Sequence, residues 1–517
     1  MQVQHSRLRL CVPIVVFMLT FLLYFLTLAP TITWEHDGYD GGDLITSAYT
    51  LGIPHPTGYP TYMLVGRIFA QLPVGDVAYR MNLLSALCSA LTVTLCYVIS
   101  RALLDTAVHA LVAALSAALW LAASRVFWSQ AIITEVYALN ALFFAATVGL
   151  ALAALAQGFN ASASAERRRL LGVLAPLALV YGLSLGNHLT MALCAPMLLY
   201  LSIALVRRRV LRAADWLLPC GLFLLGLCVY TYLPLRAGKE PLSNWGNPRT
   251  LQGFLWVVDG GIYRQFVLSL PLAHWPQRFL SWVHLLWQQF GPLGTALGLL
   301  GVGREWKQSP RRLAILLVTT GLYSAYAMLY NTTDSYVYLL PVYVIFPLWL
   351  AQGARFLIGV VASARRTRTV WPTTLTCIVL LALPLQTLAV NLPSMNLRRD
   401  RAAYDYGTQA LAQVPDRCII FSGSDPHTFT LWYFARVVTV RSQVAVVDRD
   451  LLDYDWYVAN LRQAYPWLQF PTSESATPLT VERLVEANRQ SVNIYWADAD
   501  ADTIRLQHLQ LDGLLYH

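Results

Sequence analysis

Long apolar runs alternate along this chain with short polar connections. A helix crossing the hydrocarbon core of a bilayer needs about 20 mostly apolar residues. Runs of that kind occupy 10–29, 81–100, 106–123, 136–157, 170–186, 189–206, 214–234, 279–301, 313–330, 337–359 and 370–391. The pattern predicts an α-helical polytopic membrane protein with about eleven transmembrane helices over residues 1–391. The first run follows a basic start, "HSRLRL", as a secretory signal would. It is too long for one and no small-residue cleavage site follows it, so a retained span is expected. After residue 391 the pattern changes. "RCIIFSG" and "VAVVDRDLL" read as buried strands, and 400–413 and 452–465 have helical spacing. Residues 392–517 are therefore expected to form a small C-terminal α/β domain.

Charge adds an orientation. Arg7 and Arg9, Arg101, "ERRR" at 166–169, "RRRVLR" at 207–212, "REWKQSPRR" at 304–312 and "ARRTR" at 364–368 all fall on one side if the spans alternate. Cytoplasmic connections carry the excess of arginine and lysine. The expected topology thus has a cytoplasmic N-terminus and, after an odd number of spans, an extracytoplasmic C-terminal domain. The other side receives the longer connections 30–80, 124–135 and 236–278, and the short "NTTDS" at 331–335.

Composition agrees with a membrane class: 56% of residues are hydrophobic and 13% charged, with a mean hydropathy of +0.49. The net charge of +9 is carried almost wholly by arginine, Lys239 and Lys307 being the only lysines. Because the arginines cluster at the ends of apolar runs, they need no nucleic-acid partner to explain them. Seven of the eight cysteines lie in apolar runs, Cys418 being the exception. No C-x-x-C and no Cys/His metal spacing occurs, so neither a disulfide framework nor a zinc site is indicated.

Ionisable groups beside a bilayer are costly and mark functional positions. On the expected outer side they are numerous: Asp37, Asp40, Asp43 and His55 in the first connection, Glu135, Asn187, His188, Arg236, Asn244 with Trp245, and Asp334. Each also has a plainer reading. Asp40 and Asp43 could cap a helix starting near Leu44. His55 could brace the turn "HPTGYP", Glu135 could face interfacial water, and His188 could bond a neighbouring helix. Arg236 could snorkel to headgroups, although its outer-side position favours an anionic ligand such as a lipid phosphate. In the tail, Asp425 and His427 of "SGSDPHTFTLWYFARV" have hydrolase residue types. No G-x-S-x-G elbow accompanies them, and residues so close in sequence make a poor triad. "DADAD" at 498–502 reads as solvated surface.

The first connection, Asp40, Gly42 and Asp43 followed by "LGIPHPTGYP" at 51–60, resembles the D-x-G-[ED]…L-G-I-x-H-P-x-G-Y-P pattern of the protein O-mannosyltransferase-like family of polytopic membrane proteins. The resemblance continues through "RMNLLSAL", "WSQAIITEVYAL", "GLSLGNHLT", "YLPLRAGKEPLSNWGNP", Tyr263, "DSYVYLLP", "FTLWYFARV" and "WYVANLR". This chain departs from the family in having Asp at 43, Gly at 41 and Thr at 57. The resemblance implies a fold similar to GT-C glycosyltransferases and a sugar, with mannose as the family lean, taken from a polyprenyl-phosphate donor. The acceptor would be an extracytoplasmic hydroxyl of protein, lipid or glycan, and the configuration would invert. Asp40 is then the expected catalytic base. Asp43, His55, Tyr59, Glu135, Tyr137, Asn187, His188, Arg236, Asn244, Trp245, Tyr263, Asp334 and Tyr336 are the expected substrate-binding set. A bacterial inner membrane is the expected location. No cofactor is firmly implied, and dependence on a divalent metal is left open.

Two other classes fit the sequence less well. A transporter or lipid flippase would usually show internal repeats and polar groups at the bilayer midplane, whereas here they gather at one interface. A non-catalytic scaffold leaves the acidic, histidine and arginine set unexplained. The tail is expected to recognise the acceptor while the membrane part binds the donor.

Overall fold

The computed structural model describes residues 2–105, 108–160, 164–363, 370–471, 479–499, 501–507 and 509–517. The "ARRTR" cluster lies outside them. Among the described residues eight helices are long and apolar enough to span a membrane. A pair, Val108–Ala123 and Arg125–Ala131, bent by 65° between its halves, makes a ninth when taken as one span. The remaining two of the eleven expected runs are the short apolar helix Cys11–Thr27 and Trp275–Gln308. The latter is broken at Gly291, whose φ of 62° leaves the helical region. Every apolar run thus corresponds to a helix.

Packing sorts these helices. Val77–Leu103 and Ser335–Ser363 are 67% buried along their most apolar stretches and form the centre of the bundle. Trp371–Met395 is only 11% buried and leaves Trp371, Leu375, Ile378, Leu385 and Val390 exposed. Such a continuous apolar face is stable only against lipid, so the chain is an integral membrane protein. Small residues let the central helices approach closely. A side chain at Gly301 would strike the backbone of Trp349, and one at Gly353 the backbone of Leu297.

The tail begins where the helix Trp371–Met395 ends. Its strands β1 (Cys418–Ser422), β2 (Val444–Asp448), β3 (Asn493–Trp496), β4 (Leu511–Asp512) and β5 (Leu515–Tyr516) form one sheet of order β2-β1-β3-β5-β4. The first three strands are parallel and joined by helices; β1 and β2 are buried along their whole length, as parallel strands between helical layers must be. The two expected strands and the helices Ala402–Gln413 and Asp455–Ala464 are present. The third parallel strand and the helix Asp425–Tyr433 were not anticipated.

The tail is not a separate lobe. One continuous buried core runs from Ile32, Leu44, Ile53 and Tyr62 in the first connection through Leu233 and Val257 to Phe421, Trp432 and Val446 in the tail. Trp34 Nε1 donates to Pro426 O at 3.1 Å and Thr430 Oγ1 at 3.0 Å. Asn460 Nδ2 donates to Asn244 O at 2.9 Å. Gly42 lies so close to the Asp425–Tyr433 helix that a Cβ there would collide with the carbonyl of Phe429.

Candidate active site

The two carboxylates of "DGGD" part company in the fold. The helix Gly41–Thr50 starts directly after Asp40, which occupies the N-cap position without using its side chain as a cap. Asp43, in the first helical turn, is fully buried and does not cap either. Its Oδ2 accepts from the backbone N of His55 at 2.8 Å and lies 2.9 Å from His55 Nδ1, while Ser47 Oγ donates to Oδ1 at 3.4 Å. Asp43 therefore ties the "HPTGYP" turn to the helix that carries Asp40.

His55 sits between the two acids. Its Nε2 faces Asp40 Oδ2 at 3.5 Å, and Asp40 alone of the three is partly exposed. Burial by itself would make the imidazole harder to protonate. The charge of Asp40 and the hydrogen bond and charge of Asp43 outweigh it and push His55 up to about 9. Asp40 is raised above the ordinary carboxylate range, first by burial and further by Asp334 and Asp43, with His55 opposing. Around the imidazole stand Tyr59 (ring centroids 5.2 Å apart), Tyr263 (6.1 Å), Trp245 (6.2 Å) and, stacked at 10°, Phe429 of the tail (6.4 Å).

The turn itself is built for this placement. Gly58 N donates to His55 O at 3.0 Å, and Gly58 has φ 75° in a spot where a Cβ would press on Leu233 and Val257. Only glycine meets both conditions. Pro60 then opens the helix Pro60–Ala70, where its missing N–H costs nothing. Outside the helix, the chain pairs at an isolated bridge between Ile53 and Asn244, which delivers Trp245 to the ring set.

A cavity of about 380 Å³ opens beside these rings. Tyr59, Tyr263, Tyr326, Tyr330, Tyr338 and His188 line it, with Arg264 at its rim paired to Asp259. His188 Nδ1 bonds Thr190 Oγ1 at 2.8 Å; burial and the positive charge on His55 push it down to about 4, so it is neutral. Tyr137 contacts both His188 (5.5 Å) and Tyr338 (6.0 Å). Glu135 is buried and raised well above the ordinary range, by burial first and then by the Asp40 charge, which favours its protonated form. Asn187 donates to Val136 O at 3.3 Å and leaves its Oδ1 buried without a partner among the described residues. A second cavity of about 480 Å³, lined by Arg278, Trp282 and Tyr336 among others, shares none of the rings around His55.

The remaining expected residues are placed as follows. Asp334 acts on Asp40 through its charge, and Tyr336 donates to Asp37 Oδ2 at 2.6 Å. Asn244 is buried and makes backbone contacts. Arg236 is drawn away from the ring set. Its Nε donates to Leu51 O at 2.6 Å and its Nη2 to Thr50 O at 3.4 Å, so it closes the end of the Gly41–Thr50 helix. Among the described residues no three of His, Cys, Asp and Glu are grouped as metal ligands would be.

The reading of "DADAD" needs correction. Asp498 of "DADAD" is not solvated surface. It accepts from Ser422 Oγ (2.9 Å), Gly423 N (2.8 Å), Ser424 Oγ (2.8 Å) and Arg449 Nη2 (3.0 Å). Those bonds and His427 hold it below the ordinary carboxylate range although burial works the other way. Ser424, His427 and Asp498 do meet, through a residue more than seventy positions on, yet a hydrolase triad is ruled out here as it was from the sequence. The serine (3.0 Å) and the aspartate (3.3 Å) both address Nδ1 of His427, whereas a triad uses opposite ring nitrogens, so no hydrolase relay exists. Sequence reasoning also missed Phe429 and the tyrosines 326, 330 and 338. The spacing of "YVYL" after Asp334 was the available signal for the last of these.

The chain is similar to known proteins in sequence and in fold. Residues 40–210 match the family described as the protein O-mannosyl-transferase TMEM260 N-terminal domain, and 403–513 match the TMEM260-associated domain 2. The protein O-mannosyl-transferase TMEM260 of Mus musculus is 26% identical over 480 residues, covering 89% of this chain. That of Dictyostelium discoideum is 20% identical over 508 residues, also covering 89%. The chain spans less than two thirds of these relatives' own length, 65% and 59% respectively. Among solved structures, ArnT from Cupriavidus metallidurans bound to undecaprenyl phosphate superposes with a TM-score of 0.59 at 13% identity, covering 97% of both chains. The archaeal oligosaccharyltransferase AglB from Archaeoglobus fulgidus gives 0.52 at 12% identity, covering 94% of this chain and 69% of that one. The fold is that of the GT-C class.

Proposed function

We propose, from this chain's membership of the protein O-mannosyltransferase-like family of polytopic membrane proteins, that it is a membrane glycosyltransferase. It moves a sugar, mannose by family, from a polyprenyl-phosphate donor to an acceptor hydroxyl on the extracytoplasmic side. The observation that carries this reading is the line Asp40–His55–Asp43. It offers one partly exposed carboxylate, oriented by a buried imidazolium, beside a tyrosine-lined cavity. Support for a lipid-phosphate donor comes from the names of the fold relatives, which were captured with undecaprenyl and dolichol phosphates.

In this reaction the acceptor oxygen attacks the anomeric carbon as Asp40 takes the hydroxyl proton. The bond from that carbon to the phosphate oxygen breaks, and its electron pair leaves with the lipid phosphate. Displacement from the opposite face inverts the configuration. A phosphate leaves without a proton, so the second acid that a glycosidase needs is not required. A raised affinity for protons suits a general base, and the positive His55 favours the ionised form of Asp40. The tyrosines offer ring faces and hydroxyls for a sugar, Glu135 offers a buried carboxyl to bond one of its oxygens, and Arg264 supplies a cation at the rim.

The test is transfer of label from polyprenyl-phosphate mannose to an acceptor in membranes carrying the chain. Asp40→Asn should lower transfer by a factor of about a hundred or more, the usual range for a lost general base. Equal rates for variant and parent would end the assignment. Movement of the intact lipid without transfer would favour a flippase.

A further inference from the structure

The helix Asp425–Tyr433 belongs to the tail, yet it forms one wall of the catalytic site. Phe429 stacks on His55, and Gly42, between the two acids, is in backbone contact with the same residue. Asp425 lies four residues before Phe429, on the same face of the helix and one turn closer to its start. It is exposed and has no hydrogen-bond or ion-pair partner among the described residues. An acid in a first helical turn is ordinarily explained by the helix dipole. That explanation does not account for its position, in which Asp425 faces the like charges of Asp40 and Asp43 as well as His55.

The loop before Asp425 is also held rigidly. Ser422, Gly423 and Ser424 all bond the Asp498 carboxylate at the carboxyl ends of β1 and β3. Carboxyl ends of parallel strands are where open α/β sheets bind ligands. A pinned loop that ends in an unpartnered carboxylate is how a fold presents a binding group. The tyrosine-lined cavity is built from the membrane part alone, whereas Asp425 arrives from the tail. The two substrates therefore have separate providers.

We propose that Asp425 binds the acceptor, its carboxylate accepting a hydrogen bond from an N–H or O–H group next to the hydroxyl that Asp40 deprotonates. This rests on the transferase reading above and adds the tail's contribution to it. Although its surface is open to a small molecule, the protein crowded around it, and then the charge of Asp40, push Asp425 up to about 6, with Asp43 and Asp450 adding and His55 opposing; Asp448 lies close enough to feel Asp425 in turn. The acceptor-binding form is thus ionised above about pH 6 and is lost as pH falls through that value.

The probe is a blocked serine- and threonine-containing peptide, with labelled polyprenyl-phosphate mannose as donor and the full chain in membranes. Asp425→Asn should raise the acceptor KM about tenfold or more and leave the donor KM within twofold. Asp425→Glu should recover part of the loss. The acid limb of kcat/KM for the acceptor should move to lower pH in the Asn variant. An unchanged acceptor KM, or a change in donor KM instead, overturns the proposal, as does loss of both with a tail newly open to protease. A parent chain that transfers no sugar to any acceptor overturns the transferase reading as well, and the wild-type arm alone reveals that case.

Discussion

His55 meets a carboxylate at each ring nitrogen, one buried and one at the mouth of the site. Its protonation is held by that pair. As a cation stabilised in the folded protein, it contributes fully below its ordinary value near 6.5, and the contribution is lost as pH rises through about 9. Transfer should accordingly fall on the alkaline side near pH 9. Asp43→Asn removes the buried charge but keeps the shape. It should lower kcat about tenfold or more, through loss of a charged hydrogen bond worth about 1.5–3 kcal/mol, and move the alkaline limb to lower pH. A pH profile of kcat superimposable on that of the parent would show that Asp43 does not govern His55. At this scale the candidate residues could be named from sequence. Asp40, Asp43 and His55 share one short connection, and the family resemblance marked them. What Asp43 does was not legible, because helix capping is a local property while its partner lies twelve positions on, across a turn.

Among the elements, the junction between the Gly41–Thr50 helix and the Asp425–Tyr433 helix decides whether the site closes. Gly42 permits the contact because it has no Cβ. Gly42→Ala should push the tail helix away, at a cost of about 1–3 kcal/mol as for other overpacked contacts. Transfer should drop sharply, and the tail should become cleavable by protease. Gly321→Ala is the control: nothing lies within 4 Å of a Cβ there, and alanine favours the helix Pro310–Leu329. Equal protease resistance and activity in both variants would refute the close-packing account. The helices and the first two strands were visible from periodicity, since apolar runs and alternation are local signals. The short helix Asp425–Tyr433 was hidden, since its residues Phe429, Leu431, Trp432 and Tyr433 are all buried and present no amphipathic stripe.

For the whole molecule, the arrangement gathers nearly every candidate group at one end of the bundle, beneath the tail. The other end carries the arginines, some of them now paired: Arg355 with Asp105 at 2.6 Å, Arg167 with Asp215 at 3.3 Å, and Arg312 with Glu305. By the distribution of basic residues, the arginine end should face the cytoplasm. In a chain whose native cysteines are replaced, a membrane-impermeant thiol reagent should label Leu511→Cys in intact cells, and Trp306→Cys only after permeabilisation. Both positions are exposed, at 62% and 68%. Labelling in the reverse order would invert the topology and put the transferase reaction on the wrong face for the proposed donor.

Read alone, the sequence determined the class of the protein: its membrane helices, its α/β tail, the acid-rich first connection and the family it resembles. Those follow from composition, periodicity and short-range pattern, which are set by local chemistry and by the length of chain a bilayer requires. Only the tertiary structure decided what each charge does. It took Arg236 from the expected phosphate site to a helix end, Asp498 from the surface to the clamp before Asp425, and Phe429 from the tail to the face of His55. Hydrogen bonds and ring contacts depend on distance in space, and these partners lie tens to hundreds of residues apart along the chain.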